Sequence, residues 1–342
     1  MEIGNLLIAR NDRLGDWVLT FPLLEEIREA WPGVRLAAMA PAAVAPLLER
    51  RPEVERVLLS PGRSWRGFRR AVREVRAGGF EAAVVVHPDL VDTLVVWAAG
   101  VRLRVGNGYR AYSVFYDRRV MVHRSPSDRH EIEYNLEYLA GLGLAVPDTP
   151  REPRVEVTPA ERAQAAEILA AHGLSEAEYV VVHPGSGGSS LNWSPARYRI
   201  LAAELTKATG YAVVVTGSAA ETELASAVAG EGRGRANVAG ETDLGALVGL
   251  LAGARLFVSG NTGPMHLAAA VGTPTVSLFA PLRSGSPGRW GPRGKAAAVI
   301  TPSGYECEKC PGPRCAHYNC MEAISVEEVL TEVRRLLATK GD

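Results

Sequence analysis

GNTGPMHLAAAVGTP, residues 260–274, is the stretch on which the reading of this chain turns. An apolar run, Arg255-Leu-Phe-Val258, precedes it and another, Thr275-Val-Ser-Leu-Phe279, follows; both read as buried strands. Between them the residues spell a helix, with Thr262 and Gly263 in the turn, Pro264 at the first helical position, an Ala-rich body from Met265, and Gly272 with Pro274 to stop it. A helix that opens at the carboxyl end of a parallel strand aims unpaired N–H groups at the crevice, and Thr262 and His266 add side-chain donors. The stretch therefore predicts an anion site suited to phosphate. The alternative is that Gly263 and the alanines only allow tight packing of helix on sheet.

Working outward, the same alternation of short apolar runs and helical patterns fills the chain, which is the signature of βαβ units and parallel sheets. Leu6–Ala9 predicts a first strand, RNDRLGD a loop, and Trp17 to Ala30 a helix; strands Val34–Met39, Val54–Leu59 and Ala82–Val86 follow with helices between them. Residues 101–122 predict two short strands around an exposed loop rich in tyrosine and arginine, and a helix from Glu131 to Gly141 ends this half. The Pro-rich stretch 147–153 is the linker candidate, after which helices and strands alternate again up to a last helix at 326–337. The expected organisation is a first Rossmann-like domain over 1–150, a second over 151–324, and a C-terminal segment, 325–342. Two such halves would hold a ligand in the cleft between them.

The 342 residues suffice for two domains of ordinary size, and 38 basic residues balance 38 acidic ones. Zero net charge predicts neither nucleic-acid wrapping nor bulk membrane adsorption. The amino terminus lacks the charged, apolar, small-residue order of a signal peptide, and no apolar run approaches the length of a membrane span. The expectation is a cytoplasmic protein with reduced cysteines. The first βα turn, ARNDRLGDWVLTFP, has one glycine where a dinucleotide fingerprint needs three, which disfavours a nicotinamide enzyme. The Gly-rich HPGSGGSSLNW lacks the lysine and hydroxyl residue of a P-loop, which disfavours an NTPase. By position alone, Asp16 reads as a helix N-cap.

RLGDWVLTFP (13–22), HPGSGGSSLNWSPARY (183–198), TGSAAETELA (216–225) and the 260–274 stretch resemble, in this order, the motifs of the bacterial ADP-heptose:lipopolysaccharide heptosyltransferases, glycosyltransferase family 9. The resemblance implies the GT-B architecture, two Rossmann-like doubly wound domains with the C-terminal segment 325–342 crossing back to the first, and inverting transfer of a sugar from an ADP-sugar, heptose in the family, to a hydroxyl of a lipopolysaccharide-core or other glycan acceptor. It implies that Asp16 is the base that takes the acceptor proton, a role such chemistry requires. Donor contacts implied in the same way are Ser186, Gly187, Glu221, Asn261, Thr262, Gly263, Met265 and His266. Catalysis without a divalent ion is expected, because the Gly263–His266 helix start would stabilise charge on the departing diphosphate. For Glu221 and for the Ser186–Gly187 turn, ordinary helix-start and turn functions are the alternatives.

Two positions depart from the family pattern. Leu191 stands where a phosphate-neutralising lysine is common, and Asn261 where aspartate is common, so the donor sugar need not be heptose. Arg283, Arg289 and Arg293 are the candidates for the missing charge. A related transferase using another nucleotide sugar, or a catalytically silent sugar-nucleotide binding protein, are the competing readings. In the first half, Arg66, Arg69, Arg70 and Arg73 share a helix face by their spacing, and with Arg110 they form the candidate acceptor patch for an acidic glycolipid at the inner face of the inner membrane. A plain solvated surface is the alternative. All four cysteines, Cys307, Cys310, Cys315 and Cys320, fall within 14 residues, enough ligands for a structural zinc or iron; thiols pinning a loop are the other reading.

Overall fold

The alternation folds as two six-stranded parallel sheets in a computed structural model that describes residues 3–174, 178–294, 296–305, 307–317 and 319–338. The first sheet contains β1 (Asn5–Ala9), β2 (Arg35–Ala40), β3 (Val54–Leu59), β4 (Ala82–Val85), β5 (Leu103–Asn107) and β6 (Arg118–Val120), in the order β3-β2-β1-β4-β5-β6. Its helices are α1 (Leu14–Val18), α2 (Phe21–Ala30), α3 (Ala45–Leu48), α4 (Trp65–Gly78), α5 (Leu90–Ala98), α6 (Glu131–Leu136) and α7 (Tyr138–Leu142). The second sheet contains β7 (Tyr179–His183), β8 (Ala212–Val215), β9 (Arg235–Asn237), β10 (Leu256–Gly260), β11 (Thr275–Leu278) and β12 (Ala297–Ile300), in the order β12-β11-β10-β7-β8-β9. Around it lie α8 (Pro159–Ala171), α9 (Pro195–Thr209), α10 (Thr222–Ala229), α11 (Leu244–Gly253), α12 (Gly263–Ala270), α13 (Pro287–Trp290) and α14 (Val326–Ala338).

Numbered within its own half, each sheet runs 3-2-1-4-5-6, the doubly wound order of a Rossmann domain. The direction of winding reverses between β1 and β4 and again between β7 and β10. Leu6 pairs with Leu36 on one side and Ala82 on the other, and Val258 pairs with Val182 and Val276. Helices cover both faces, so NLLIA, YVVVH and LFVSG are buried from end to end and read as continuous apolar runs. Local chemistry sets the helix starts. Ser64, Thr158, Ser194 and Asp243 each cap a first-turn N–H with a side-chain oxygen, and Pro159 and Pro195 occupy first helical positions. At Gly249 a Cβ would stand 2.0 Å from the Glu161 carbonyl oxygen, so glycine is what lets α11 lie against α8.

Three sequence expectations change here. Chain contacts divide the protein between Pro153 and Arg154 instead of after residue 150, because Arg151 turns back to pair with Glu26 at 2.7 Å and with Glu29, both on α2. The tail is no separate segment in its described part: Val329, Leu330, Val333 and Leu336 of α14 belong to the core of the second unit, and residues 339–342 lie outside the described residues. Helix α5 has no counterpart among the elements that periodicity predicts, since LVDTLVVWA is apolar nearly all round and shows no single stripe.

Helix α5 also carries an anomaly. Asp92 is fully buried, its N–H is capped by Asp89 at 2.9 Å, and neither of its carboxyl oxygens has a hydrogen-bond partner among the described residues. Burial, with Asp89 and Asp12 nearby, pushes its pKa up to about 8. The unfolded chain ionises this group near 3.8 while the native state keeps its proton, so its contribution to stability falls as pH rises from about 4 to about 8. Asp92→Asn is therefore expected to raise the melting temperature at pH 7 to 8 and to leave it unchanged at pH 4, a difference that thermal unfolding across that range measures directly.

Candidate functional site

In the first unit the carboxyl end of β1 leads into Arg10, and this side chain organises everything around it. Arg10 is 1% exposed, and five described neighbours satisfy it. Its Nε donates to Asp12 Oδ1 at 2.7 Å, its Nη1 to Thr20 Oγ1 and Asn135 Oδ1 at 3.0 Å each, and its Nη2 to Asp16 Oδ1 at 2.9 Å, with Glu131 Oε1 3.5 Å away. Trp17 Nε1 donates to the Arg10 carbonyl at 2.9 Å, and Thr20 Oγ1 to the Asp16 carbonyl at 2.8 Å. Arg124 backs this cluster through Glu131 and Asn135, at 3.0 and 3.1 Å. The network joins the β1 loop, α1 and α6 at the first switch point.

Asp16 lies in the first turn of α1, where a loop was expected; Leu14 already begins the helix. Nor is it the N-cap, a position held by Arg13 without a side-chain bond. Burial raises its pKa to about 6; Arg10 opposes the shift, and the nearby Asp12 and Glu131 add to it. For Asp12 burial would do the same, but Arg10 and His87, whose Nδ1 is 3.2 Å from Asp12 Oδ2, hold it down at about 2. Of the three carboxylates around this guanidinium, Asp12 is thus a firmly ionised anchor and Asp16 a group that takes up its proton near neutrality. Asp16 and Asp12 keep 17% and 16% side-chain exposure against 2% for Glu131, and of the two exposed carboxylates Asp16 is the one whose pKa is raised.

In the second unit three loops meet at the carboxyl ends of β7, β8 and β10. Ser190 Oγ donates to the Asn261 carbonyl at 3.0 Å and ties the β7 loop to the β10 loop. Glu221 ties it to the β8 loop: Oε1 accepts from Gly187 N–H at 3.3 Å, and Oε2 from Ser218 N–H and Oγ at 2.9 and 2.8 Å. Gly185 makes this possible, since a Cβ there would sit 2.1 Å from Glu221 Oε1. Gly187 has φ +52°, and Ser186 Oγ donates to Ser190 O at 3.1 Å. Glu221 is thus a brace with remaining lone pairs for a ligand hydroxyl.

Helix α12 starts one residue earlier than its Pro264 suggests, with Thr262 as N-cap accepting from Met265 N–H at 3.4 Å. Pro264 has no N–H and Met265 is capped, so Gly263 is the first-turn residue whose N–H is without a partner among the described residues. Met265, expected among the donor contacts, has a fully buried side chain, and its N–H is engaged by Thr262. Thr262 and His266 are both 4% exposed, and the His266 ring lies 6.5 Å from Trp290. Arg289 stacks its guanidinium 4.8 Å from the Trp290 ring centroid, while Arg283 pairs with Glu308 at 3.3 Å. Leu191 packs against the second unit's core. His183 is held neutral by burial, its pKa lowered to about 4, with Nδ1 3.0 Å from Thr216 Oγ1.

The arginine patch is only partly as expected. Arg66, Arg69 and Arg73 are exposed on α4 and Arg110 is exposed ahead of residues 111–115, but Arg70 donates to the carbonyls of Leu59 and Ser60 at 3.1 Å each and serves the fold. The four cysteines are free thiols around one pocket that His317 and Leu191 also line, and burial, with the other three thiols close by, raises the Cys320 pKa. Among the described residues no group of three or more His, Cys, Asp or Glu side chains is arranged to hold a metal ion. Sequence reading missed Arg10, Asp12, His87, Glu131 and Asn135; the RND triplet directly after a buried strand was the available signal.

Residues 68–320 match the family model of glycosyltransferase family 9 (heptosyltransferase). The chain is 28% identical over 351 residues to lipopolysaccharide heptosyltransferase 2 of Salmonella typhimurium, covering 98% of this chain and 99% of that one. Among solved structures, a family 9 glycosyltransferase of Veillonella parvula superposes with a TM-score of 0.85 at 22% identity, covering 99% of both chains. The E. coli ADP-heptose lipopolysaccharide heptosyltransferase II superposes with a TM-score of 0.79 at 25% identity, covering 99% of this chain and 100% of that one. Two Rossmann-like domains of the GT-B class, with the family's motifs at both switch points, make this chain a member of glycosyltransferase family 9, the heptosyltransferases.

Proposed function

We propose that this protein is an inverting, metal-independent glycosyltransferase that moves heptose from ADP-heptose to a hydroxyl of a lipopolysaccharide-core acceptor. The observation that carries the reading is Asp16, an accessible carboxylate held on a buried guanidinium, with its pKa lifted to about 6. In the proposed step the acceptor hydroxyl oxygen attacks the anomeric carbon, its proton passes to Asp16, and the bond from that carbon to the diphosphate oxygen breaks to release ADP. Arg10 holds the carboxylate in place, and burial makes it a stronger base than an ordinary aspartate.

In the second unit, the Gly263 N–H, Thr262 and His266 are the proposed diphosphate contacts, Ser186 and Gly187 approach phosphate or sugar, Asn261 meets the sugar, and Glu221 accepts from ribose. Arg289, carried by Trp290 beside His266, is the candidate for the charge that Leu191 does not supply. Arg66, Arg69, Arg73 and Arg110 are the proposed contacts for acidic groups of the acceptor. The similarity to the E. coli ADP-heptose enzyme supports the donor. Cys307, Cys310, Cys315 and Cys320 line one pocket and are the residues that would hold a structural zinc or iron, although among the described residues they are not arranged as a metal-holding group.

Three measurements test this. Asp16→Asn should lower turnover with ADP-heptose about 100-fold or more and leave ADP affinity intact, and the wild-type rate should fall as pH drops through about 6, where Asp16 takes up its proton. Calorimetry should find ADP preferred over UDP, GDP and CMP with or without magnesium, and Arg289→Ala should weaken ADP binding about tenfold. Preference for another nucleotide removes the ADP-heptose assignment. Elemental analysis of protein purified without chelator should find one equivalent of zinc or iron per chain, and its absence removes the metal.

A further inference from the structure

The turn between β4 and α5 carries a side chain to which the transfer step gives no task. The apolar run 82–86 ends at His87, and the Val86 N–H donates to the Ala9 carbonyl at 3.0 Å, so His87 leaves the sheet at the level of Arg10. Pro88 and Asp89 complete the turn, and Asp89 caps α5 by accepting from the Asp92 N–H at 2.9 Å. This short, capped connection fixes where the imidazole stands. His87 Nδ1 lies 3.2 Å from Asp12 Oδ2, Asp12 Oδ1 accepts from Arg10 Nε at 2.7 Å, and Arg10 Nη2 donates to Asp16 Oδ1 at 2.9 Å. Through Asp12 and Arg10, His87 is thus tied to the proposed base, and the two follow the strands between which the winding reverses.

A histidine that only braced Asp12 would be enclosed with it, yet the His87 side chain is 42% exposed against 16% for Asp12 and 17% for Asp16. Burial alone would raise the Asp12 pKa, but Arg10 and His87 hold it at about 2, so the carboxylate is ionised and draws the ring proton to Nδ1. The imidazole then keeps Nε2 as a hydrogen-bond acceptor, and this atom has no partner among the described residues. The charge around it narrows what it can meet. In the two loops, residues 10–16 and 87–89, Asp12, Asp16 and Asp89 outnumber Arg10 and Arg13, and the Arg10 donors are engaged. A phosphate or carboxylate placed here meets like charge. Sugar hydroxyls donate to carboxylate and imidazole alike, and the carboxyl ends of strands at a switch point are where doubly wound sheets bind their ligands.

We propose that His87, oriented by Asp12, is an acceptor-binding residue: while Asp16 meets the reacting hydroxyl, His87 Nε2 accepts a hydrogen bond from a second hydroxyl of the same sugar. The site thereby selects an uncharged, polyhydroxylated ring face and leaves the acidic groups of the acceptor to the arginines elsewhere on the first unit. The proposal rests on the transferase reading for the sugar being the acceptor; the hydrogen bond itself is read by binding alone. The test is calorimetric affinity for a core oligosaccharide that ends in heptose and has been freed of acyl chains, and for forms of it that each lack one hydroxyl of the terminal sugar. Wild type, His87→Ala and His87→Gln are compared.

His87→Ala should bind the parent oligosaccharide about tenfold more weakly than wild type does, with ADP affinity unchanged. Among the forms that still accept heptose from ADP-heptose, one should bind wild type about tenfold more weakly than the parent, and His87→Ala should bind that form and the parent equally. His87→Gln, whose amide oxygen can take the place of Nε2, should recover part of the discrimination. An unaltered melting temperature verifies that the variants fold. A purely structural histidine would weaken every form by the same factor and leave the discrimination in place, and that result overturns the proposal. So does a His87→Ala variant that binds the parent like wild type, or a wild type that binds none of the forms. The expected binding pattern without any transfer from ADP-heptose would instead count against the transferase reading and leave the hydroxyl contact standing.

Discussion

A guanidinium with 1% of its residue exposed has lost its water and needs carboxylates and carbonyl oxygens in exchange. Arg10 finds them on four separate pieces of chain: Asp12 in its own loop, Asp16 on α1, Thr20 at the start of α2, and Glu131 with Asn135 on α6. Removing one partner of such a buried network leaves a charge uncompensated, at a cost of about 3–5 kcal/mol. The same interaction shapes the chemistry. Asp12, doubly engaged by Arg10 and His87, is a fixed anion; Asp16, with a single bond to the guanidinium, retains the basicity that burial confers.

The second unit solves a different problem at the equivalent point in its sheet. Its loops are glycine-rich and would be loose without cross-ties. Glu221 and Ser190 supply these ties, one from the β8 loop and one to the β10 loop, and Gly185 leaves the space that the Glu221 carboxylate fills. Three of the carboxylate's roughly four acceptor sites are therefore structural. The α12 start is more closed than a bare helix end, because Thr262 and Pro264 leave Gly263 as its open donor. On α13 the Trp290 ring lies 6.5 Å from that of His266 and 4.8 Å from the Arg289 guanidinium.

Particular residues show where sequence reasoning stopped. Periodicity located the parallel strands because both faces of the sheets are covered, so each strand reads as a continuous apolar run. Periodicity failed at α5, whose apolar residues face both core and solvent, and at α1, which is too short to show a stripe. Within the motifs, Met265 and Arg70 read as ligand contacts by position and turn out to pack and to brace. Spacing reports which residues share a face but says nothing about which polar atoms the fold has already engaged.

Local chemistry, then, determined the βαβ order, the helix starts at Thr158, Ser194 and Thr262 and the family to which the motifs belong, because each depends on near neighbours in the chain. Only the tertiary structure decided that Arg10 holds Asp16, that Glu221 braces Gly187 across 34 residues, and that Asp92 keeps its proton. Those outcomes depend on burial and on contacts between segments far apart in sequence. The electrostatic character of a carboxylate is set by what surrounds it, and its neighbours in the chain do not specify those surroundings.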